Sequence, residues 1–76
     1  MKFAVRREGR QETMIEFEDY KSLLGENQRI QDEGGAPLTI LFEDDAKAWV
    51  RDGKQHETGL WLDGDVVRYA EAEQEA

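Results

Sequence analysis

The stretch of sequence that decides the fold runs from residue 2 to residue 18 and reads KFAVRREGRQETMIEFE. Phe3 and Val5 alternate with charged or small neighbours, which is the period-two pattern of a half-buried strand. A turn is expected at Gly9, and residues 12–18 then alternate again. The second strand carries Thr13, Ile15 and Phe17 on one face, and Glu12, Met14, Glu16 and Glu18 on the other. The two runs predict an antiparallel hairpin.

The next elements are marked by capping and turn residues. Asp19 is suited to cap a short helix that ends near Leu24, with Gly25 as its stop. Residues 26–35 are polar and close with two glycines, which is typical of a loop. Residues 38–42 read LTILF and are the most apolar stretch of the chain. We expect them to form the central strand.

Residues 46–51 fit two structures. A cap at Asp44 or Asp45 begins a helix over these residues, whereas a turn at residues 43–46 leads into a strand over 47–51. The pair Asp52-Gly53 favours the strand because Asp-Gly is a hairpin signal, although Gly53 would equally end a helix. The second such pair, Asp63-Gly64, lies between two apolar runs and predicts a hairpin.

Together these elements predict a β-rich α+β fold. We expect a small antiparallel sheet of five or six short strands, curled or forming a partial barrel, with one or two short helices. Residues 1–70 are expected to form a single small globular domain, whose core takes most of the aromatic side chains. Residues 71–76 are an acidic run that we expect to fray.

The composition is strongly acidic, with 18 acidic and 10 basic residues in 76 and a net charge of −8. The charge is uneven, because residues 1–11 carry +3 and residues 12–76 carry −11. Such a surface repels nucleic acid and anionic membranes and attracts basic protein surfaces. No run reaches the roughly 18 apolar residues of a membrane helix. The N-terminus also lacks the apolar segment of a signal peptide, so we expect a soluble intracellular protein.

The residue types needed for catalysis or metal binding form no recognised pattern. Ser22 is the only serine and His56 the only histidine. No nucleophile signature surrounds the serine, and His56 is expected in a solvent-facing loop. Residues 43–45 and 63–65 are rich in carboxylates but lack the alternating ligands of a calcium loop. The sequence therefore predicts no enzyme, no catalytic residue, no metal and no cofactor.

The carboxylates themselves are the remaining candidates for function. In a strand, Glu16 and Glu18 project from one face about 6.6–6.8 Å apart, a spacing of the same order as that of phosphates along a nucleic-acid strand. Three groups of acids make up the predicted partner-binding set: Glu16, Glu18 and Asp19, then Glu43, Asp44 and Asp45, then Asp63 and Asp65. Ordinary solvation is the competing interpretation, since charge of one sign also keeps a protein soluble.

The whole-chain charge and the runs EFED at 16–19, FEDD at 42–45 and DGD at 63–65 resemble in type the small acidic inhibitors encoded by phages. Anti-CRISPR and other DNA-mimic proteins are examples, although the basic segment 2–10 departs from a uniformly acidic mimic. The resemblance implies a non-catalytic binding inhibitor whose acidic surface occupies a basic nucleic-acid-binding site on a target protein. It also implies the cytoplasm of a bacterial host.

The alternative is a small structural or adaptor module, of phage or bacterial origin, that pairs through a strand edge or an apolar patch. An exposed Trp49 or Trp61 would then be its anchor, because aromatic residues dominate interface energetics. For both the inhibitor and the adaptor we expect a protein partner, no direct contact with nucleic acid or membrane, and a monomer or weak dimer.

Overall fold

The computed structural model describes residues 1–70, so the acidic tail predicted for residues 71–76 lies outside the described residues. The elements are β1 (Lys2–Glu8), β2 (Gln11–Phe17), α1 (Tyr20–Asp32), β3 (Thr39–Leu41), α2 (Glu43–Arg51), β4 (His56–Glu57), β5 (Leu60–Asp63) and β6 (Val66–Tyr69). The predicted β-rich α+β class is confirmed. Across residues 1–70, neither helix combines the length and apolar character needed to cross a membrane.

The six strands form two sheets rather than the single sheet expected from the sequence. A four-stranded sheet has the order β3-β1-β2-β4, and β5 and β6 form a separate two-stranded sheet. β1 pairs antiparallel with β2 and with β3, whereas β2 and β4 run parallel. Within residues 1–70 neither sheet closes on itself, so the partial barrel is not formed. The prediction that residues 38–42 form the central strand is wrong, because β3 lies at an edge.

Both faces of the four-stranded sheet are covered. Phe3, Ala4 and Val5 are consecutive in β1 and all buried, although successive side chains of a strand point to opposite faces. One face packs against α2 and the β5–β6 hairpin, in a cluster of Phe3, Met14, Ala46, Val50, Leu60 and Val67. The other face packs against α1, in a cluster of Ala4, Leu23 and Leu38. The sheet is therefore the middle layer of the fold.

Helix α1 is longer than the sequence indicated. Asp19 is its N-cap as predicted, and the backbone N–H of Ser22 donates to Asp19 Oδ1 at 2.8 Å. The helix nevertheless runs through Gly25 to Asp32, so the loop predicted for residues 26–35 is wrong over most of its length. Leu23 and Ile30 lie seven residues apart on one helix face and pack in the same cluster, which continues the helix past the glycine.

Residues 43–51 form helix α2, so the strand favoured for residues 47–51 is wrong. Phe42 is the N-cap residue, and three acidic residues fill the first turn, where the helix dipole favours negative charge. The pair Asp52-Gly53 ends this helix instead of turning a hairpin. Gly53 has a φ of 72°, and its N–H donates to the Val50 carbonyl at 3.0 Å, as in a Schellman motif.

The second predicted hairpin is confirmed as β5–β6. Asp63 pairs with Val66 across the two strands, so the turn is made by Gly64 and Asp65, one residue later than the sequence suggested. The parallel strand β4 lies in a polar run that no period-two pattern marked. Its pairing with β2 places His56 opposite Met14.

Candidate functional site

The register of β1 brings two of the predicted acidic groups to one end of the four-stranded sheet. Lys2 lies opposite Phe17 at the end of β2, and Phe3 lies opposite Leu41 at the end of β3. The residues that follow β2 and β3 therefore lie at the same end of the sheet. We call this surface the acidic end. Its members are Glu18, Asp19, Glu43, Asp44 and Asp45, all of them exposed.

Glu16 is turned away from this surface. It is half-buried, its Oε1 accepts the backbone N–H of Gly59 at 3.0 Å, and its Oε2 accepts the hydroxyl of Tyr69 at 2.7 Å. Met14, on the same face of β2, has no exposed surface because the hairpin and α2 cover that face. Since β2 also ends before Glu18, the predicted row of Glu16 and Glu18 carboxylates is not formed. Glu16 instead fastens the β5–β6 hairpin to the sheet.

Ion pairs neutralise many of the other carboxylates. They join Arg6 to Glu8 and Glu57, Arg7 to Glu12, Arg29 to Glu26 and Glu33, Lys47 to Glu43, and Arg68 to Asp63. Within residues 1–70, the exposed acids whose side chains make neither an ion pair nor a hydrogen bond are Glu18, Asp44, Asp45, Asp52 and Asp65. The first three of these belong to the acidic end, so uncompensated negative charge concentrates there.

Asp19 adds a charge that resists protonation. The backbone N–H of Ser22, followed by the Ser22 hydroxyl, stabilises the carboxylate and lowers the pKa of Asp19 below its usual value. Two basic residues lie beside this surface. Lys47 pairs with Glu43 at 3.5 Å, and Lys2 lines the cavity that borders Glu43. They offset part of the negative charge and leave Asp44 and Asp45 without a cation.

An exposed apolar group lies in the middle of the acidic end. Phe42 is 76% exposed, and Met1, Tyr20 and Ile40 are 48%, 47% and 37% exposed. All four line one shallow cavity of about 140 Å³, which also borders Glu43. We call these four residues the apolar centre. The expectation that the aromatic side chains fill the core is wrong for Tyr20, Phe42 and Trp61, all of which are exposed.

A larger depression continues from this cavity. Its volume is about 340 Å³, and it is lined by Met1, Phe3, Glu43, Lys47, Leu60, Val67 and Tyr69. Met1, Phe3 and Glu43 line both depressions. This second depression has a mixed lining, since Glu43 and Lys47 border it, and it leads from the start of β1 towards the β5–β6 hairpin.

The remaining predicted residues lie elsewhere. Asp63 and Asp65 are at the tip of the β5–β6 hairpin, where Arg68 donates to Asp63 at 2.8 Å. Trp61 is exposed on the same hairpin. Trp49 is half-buried, and its Nε1 donates to the Gln55 carbonyl at 2.8 Å. Neither tryptophan belongs to the apolar centre.

Within residues 1–70, the structure does not bring together the residues considered for catalysis or for metal binding. His56 is half-buried in β4 rather than in a solvent-facing loop, and its Nδ1 lies 2.8 Å from the Thr58 hydroxyl. No hydrogen bond joins it to Ser22, which lies in the first turn of α1. The same described residues contain no group of three or more side chains able to hold a metal ion.

Sequence reasoning missed the apolar centre. The signal that was available is the order of residues at 42–45, where a phenylalanine is followed at once by three acids. A core strand rarely continues into such a run, so Phe42 marks a boundary residue rather than an interior one. No protein-family model, curated protein or solved structure matches the chain, and its function is therefore inferred from this geometry.

Proposed function

We propose that this chain is a non-catalytic protein-binding module that docks its acidic end on a basic surface of a target protein. The observation that carries the proposal is the 76% exposure of Phe42 immediately before the acidic first turn of α2. A ring that is mostly in water contributes little to the stability of the fold. A contact with another protein would bury it.

The arrangement follows the anatomy of protein interfaces. Their binding energy concentrates in a few central aromatic or apolar side chains, and a polar rim surrounds them. Here the apolar centre supplies the anchor, and Glu18, Asp44 and Asp45 supply a rim whose charge no cation of residues 1–70 neutralises. A basic rim on the target would complement this charge, speed association and exclude acidic partners.

The target surface that fits this charge best is one that binds nucleic acid. Such surfaces hold Lys and Arg side chains where they contact phosphates, and the same side chains can donate hydrogen bonds to carboxylates. Occupying that surface would block the nucleic acid, so the chain would act as an inhibitor. The apolar centre adds affinity that phosphate-like charge alone would not supply.

A second candidate is an adaptor that binds a protein without displacing nucleic acid. The cavity of about 140 Å³ favours it, because the apolar centre that lines this cavity offers apolar surface that charge mimicry does not require. In that case the apolar contacts dominate the affinity. The carboxylates then serve mainly solubility and orientation.

The test uses a matched pair of double variants. Asp44→Asn with Asp45→Asn removes two unpaired carboxylates from the acidic end, and Asp52→Asn with Asp65→Asn removes two unpaired carboxylates from other surfaces. A target protein is captured from bacterial lysate with the full chain, purified, and titrated with each variant. At low ionic strength we expect about 10-fold weaker binding for the first variant and a change within about twofold for the second.

A third variant tests the apolar centre, and a DNA-displacement assay separates the two candidates. Phe42→Ser removes the ring and places a favourable N-cap residue at the start of α2, so the fold should be kept. If the chain is an inhibitor, it displaces duplex DNA from the captured target, and both the Asp44/Asp45 variant and Phe42→Ser weaken the displacement. Simultaneous binding of DNA and the chain would leave the adaptor as the function. Equal affinity of wild type and all three variants would refute the acidic end as the docking surface.

A further inference from the structure

The outer edge of β3 is open. Within residues 1–70, β3 pairs with β1 on one side and has no strand on the other. A strand paired on one side leaves the N–H and C=O groups of every second residue directed outwards, where another strand can pair with them. No bulge or proline occurs inside Thr39–Leu41 to block such pairing. This edge lies against the apolar centre, because Ile40 belongs to both.

One flank of helix α1 faces the β3 side of the sheet. Tyr20 at its start lines the same cavity as Ile40, and Asn27 Oδ1 accepts the backbone N–H of Leu38 at 2.7 Å, just before β3. Leu24 lies between these two positions on the same helix face and is 44% exposed. The helix flank therefore presents apolar side chains to a space that the sheet does not fill. One additional strand beside β3 would lie under this flank.

The negative charge beside the outer edge of β3 favours a basic segment over a second copy of the chain. A second copy of the chain would bring together two molecules of net charge −8, with both acidic ends near the shared edge. A segment rich in Lys or Arg would instead place its cations beside Glu18, Asp44 and Asp45. Because these acids have no ion-pair partner within residues 1–70, such a segment gains new pairs without breaking old ones.

We propose that the chain binds an extended basic segment of its partner by strand addition at the outer edge of β3, with apolar side chains of that segment packed under Tyr20 and Leu24. This inference rests on the proposed function and specifies its mode. The backbone of the added strand supplies affinity, its apolar residues contact the apolar centre, and its cations contact the acidic end. The four-stranded sheet becomes five-stranded in the complex.

The probe is a capped peptide of alternating lysine and valine residues. Its two controls are the same peptide N-methylated at every second residue, which cannot donate along one edge, and a peptide of alternating glutamate and valine. We expect the parent peptide to bind the full chain and to slow hydrogen exchange at the β3 amides. N-methylation should weaken binding about 10-fold, since the one or two N–H groups that can donate to the outward carbonyls of this three-residue strand are lost. The glutamate peptide should not bind.

A matched pair of protein variants locates the contact. Leu24→Gln and Leu62→Gln make the same change at residues of similar exposure, 44% and 47%, and Leu62 lies on the β5–β6 hairpin. Leu24→Gln should lower the affinity for the parent peptide about 10-fold because an apolar contact is lost, whereas Leu62→Gln should leave this affinity unchanged.

Equal binding of the parent and N-methylated peptides, unchanged exchange at Thr39–Leu41, or no binding of the parent peptide would each overturn strand addition. The proposed function has a separate outcome. If the captured target still distinguishes the Asp44/Asp45 variant from the Asp52/Asp65 variant, docking through the acidic end holds while strand addition fails. If strand addition fails and the target also binds the two double variants with equal affinity, both proposals fail.

Discussion

The sequence pattern places Glu16 and Glu18 on one strand face, whereas in the structure Glu16 is half-buried and hydrogen-bonded and Glu18 is exposed. Their alanine variants should therefore differ in the free energy of unfolding. Glu16 accepts a backbone N–H at 3.0 Å and a tyrosine hydroxyl at 2.7 Å, and both donors belong to the segment that carries the β5–β6 hairpin. Hydrogen bonds to a charged group contribute about 1.5–3 kcal/mol each. Glu16 is only half-buried, so the lower figure applies, and Glu16→Ala should reduce the free energy of unfolding by about 3 kcal/mol.

This loss is large for a chain of this size, whose free energy of unfolding is expected to be roughly 4–11 kcal/mol. Thermal unfolding followed by circular dichroism should show the melting temperature of Glu16→Ala falling by more than about 10 °C. Glu18→Ala, which removes an exposed carboxylate with no ion pair in residues 1–70, should stay within about 0.5 kcal/mol of the wild type. If both variants lost about the same stability, or if both kept that of the wild type, the assignment of Glu16 as the residue that fastens the hairpin would be refuted.

Three further predictions concern the fold. Gly25→Ala should stabilise the protein by about 1 kcal/mol, because Gly25 is inside α1 and, apart from the adjoining residues and the helix's own backbone, no atom lies within 4 Å of the added Cβ. Gly34→Ala should destabilise it by about 1 kcal/mol, because Gly34 has a φ of 82°. Urea titration of both variants tests this, and two changes of the same sign would contradict it. Met14→Ala, at a residue with no exposed surface, should cost about 2–5 kcal/mol by the same assay. Because the pKa of Asp19 is lowered in the folded state, its contribution is complete above about pH 4 and is lost as the pH falls through the folded pKa. The wild type should therefore lose stability relative to Asp19→Asn on acidification, and a constant difference would exclude this linkage.

The two hairpins could be predicted because their signals are local. The first consists of two alternating runs and the second of two apolar runs, each pair joined by a two-residue turn, and the pairing of Asp63 with Val66 shifts the second turn by only one residue. The prediction of the helices was wrong at their ends. The sequence pattern predicts a stop at Gly25, but the packing of Leu23 and Ile30 in one cluster continues the helix. Asp52-Gly53 serves equally as a hairpin turn or as a helix end, and tertiary packing of Ala46 and Val50 decides between them.

The candidate site was predicted in part. Residues 43–45 and 18–19 are exposed acids as expected, since short charged runs at element boundaries stay in water. Their meeting at one end of the sheet depends on the order β3-β1-β2, which no local pattern contains. The same is true of Glu16, because its two hydrogen-bond donors lie 43 and 53 residues further along the chain. Phe42 was assigned to the core on composition, whereas its position between a strand and a helix leaves it in water.

The burial of three consecutive residues in β1 has a consequence for how the chain is made. Residues 1–41 contain β1, β2, α1 and β3, so the face that packs on α1 is complete when this part has left the ribosome. The opposite face, with Phe3 and Met14, has no cover until α2 and the β5–β6 hairpin follow. A nascent chain at that stage carries an apolar sheet face in water, which is a surface that chaperones bind and that promotes aggregation. A truncation after β3 would leave the protein permanently in this state.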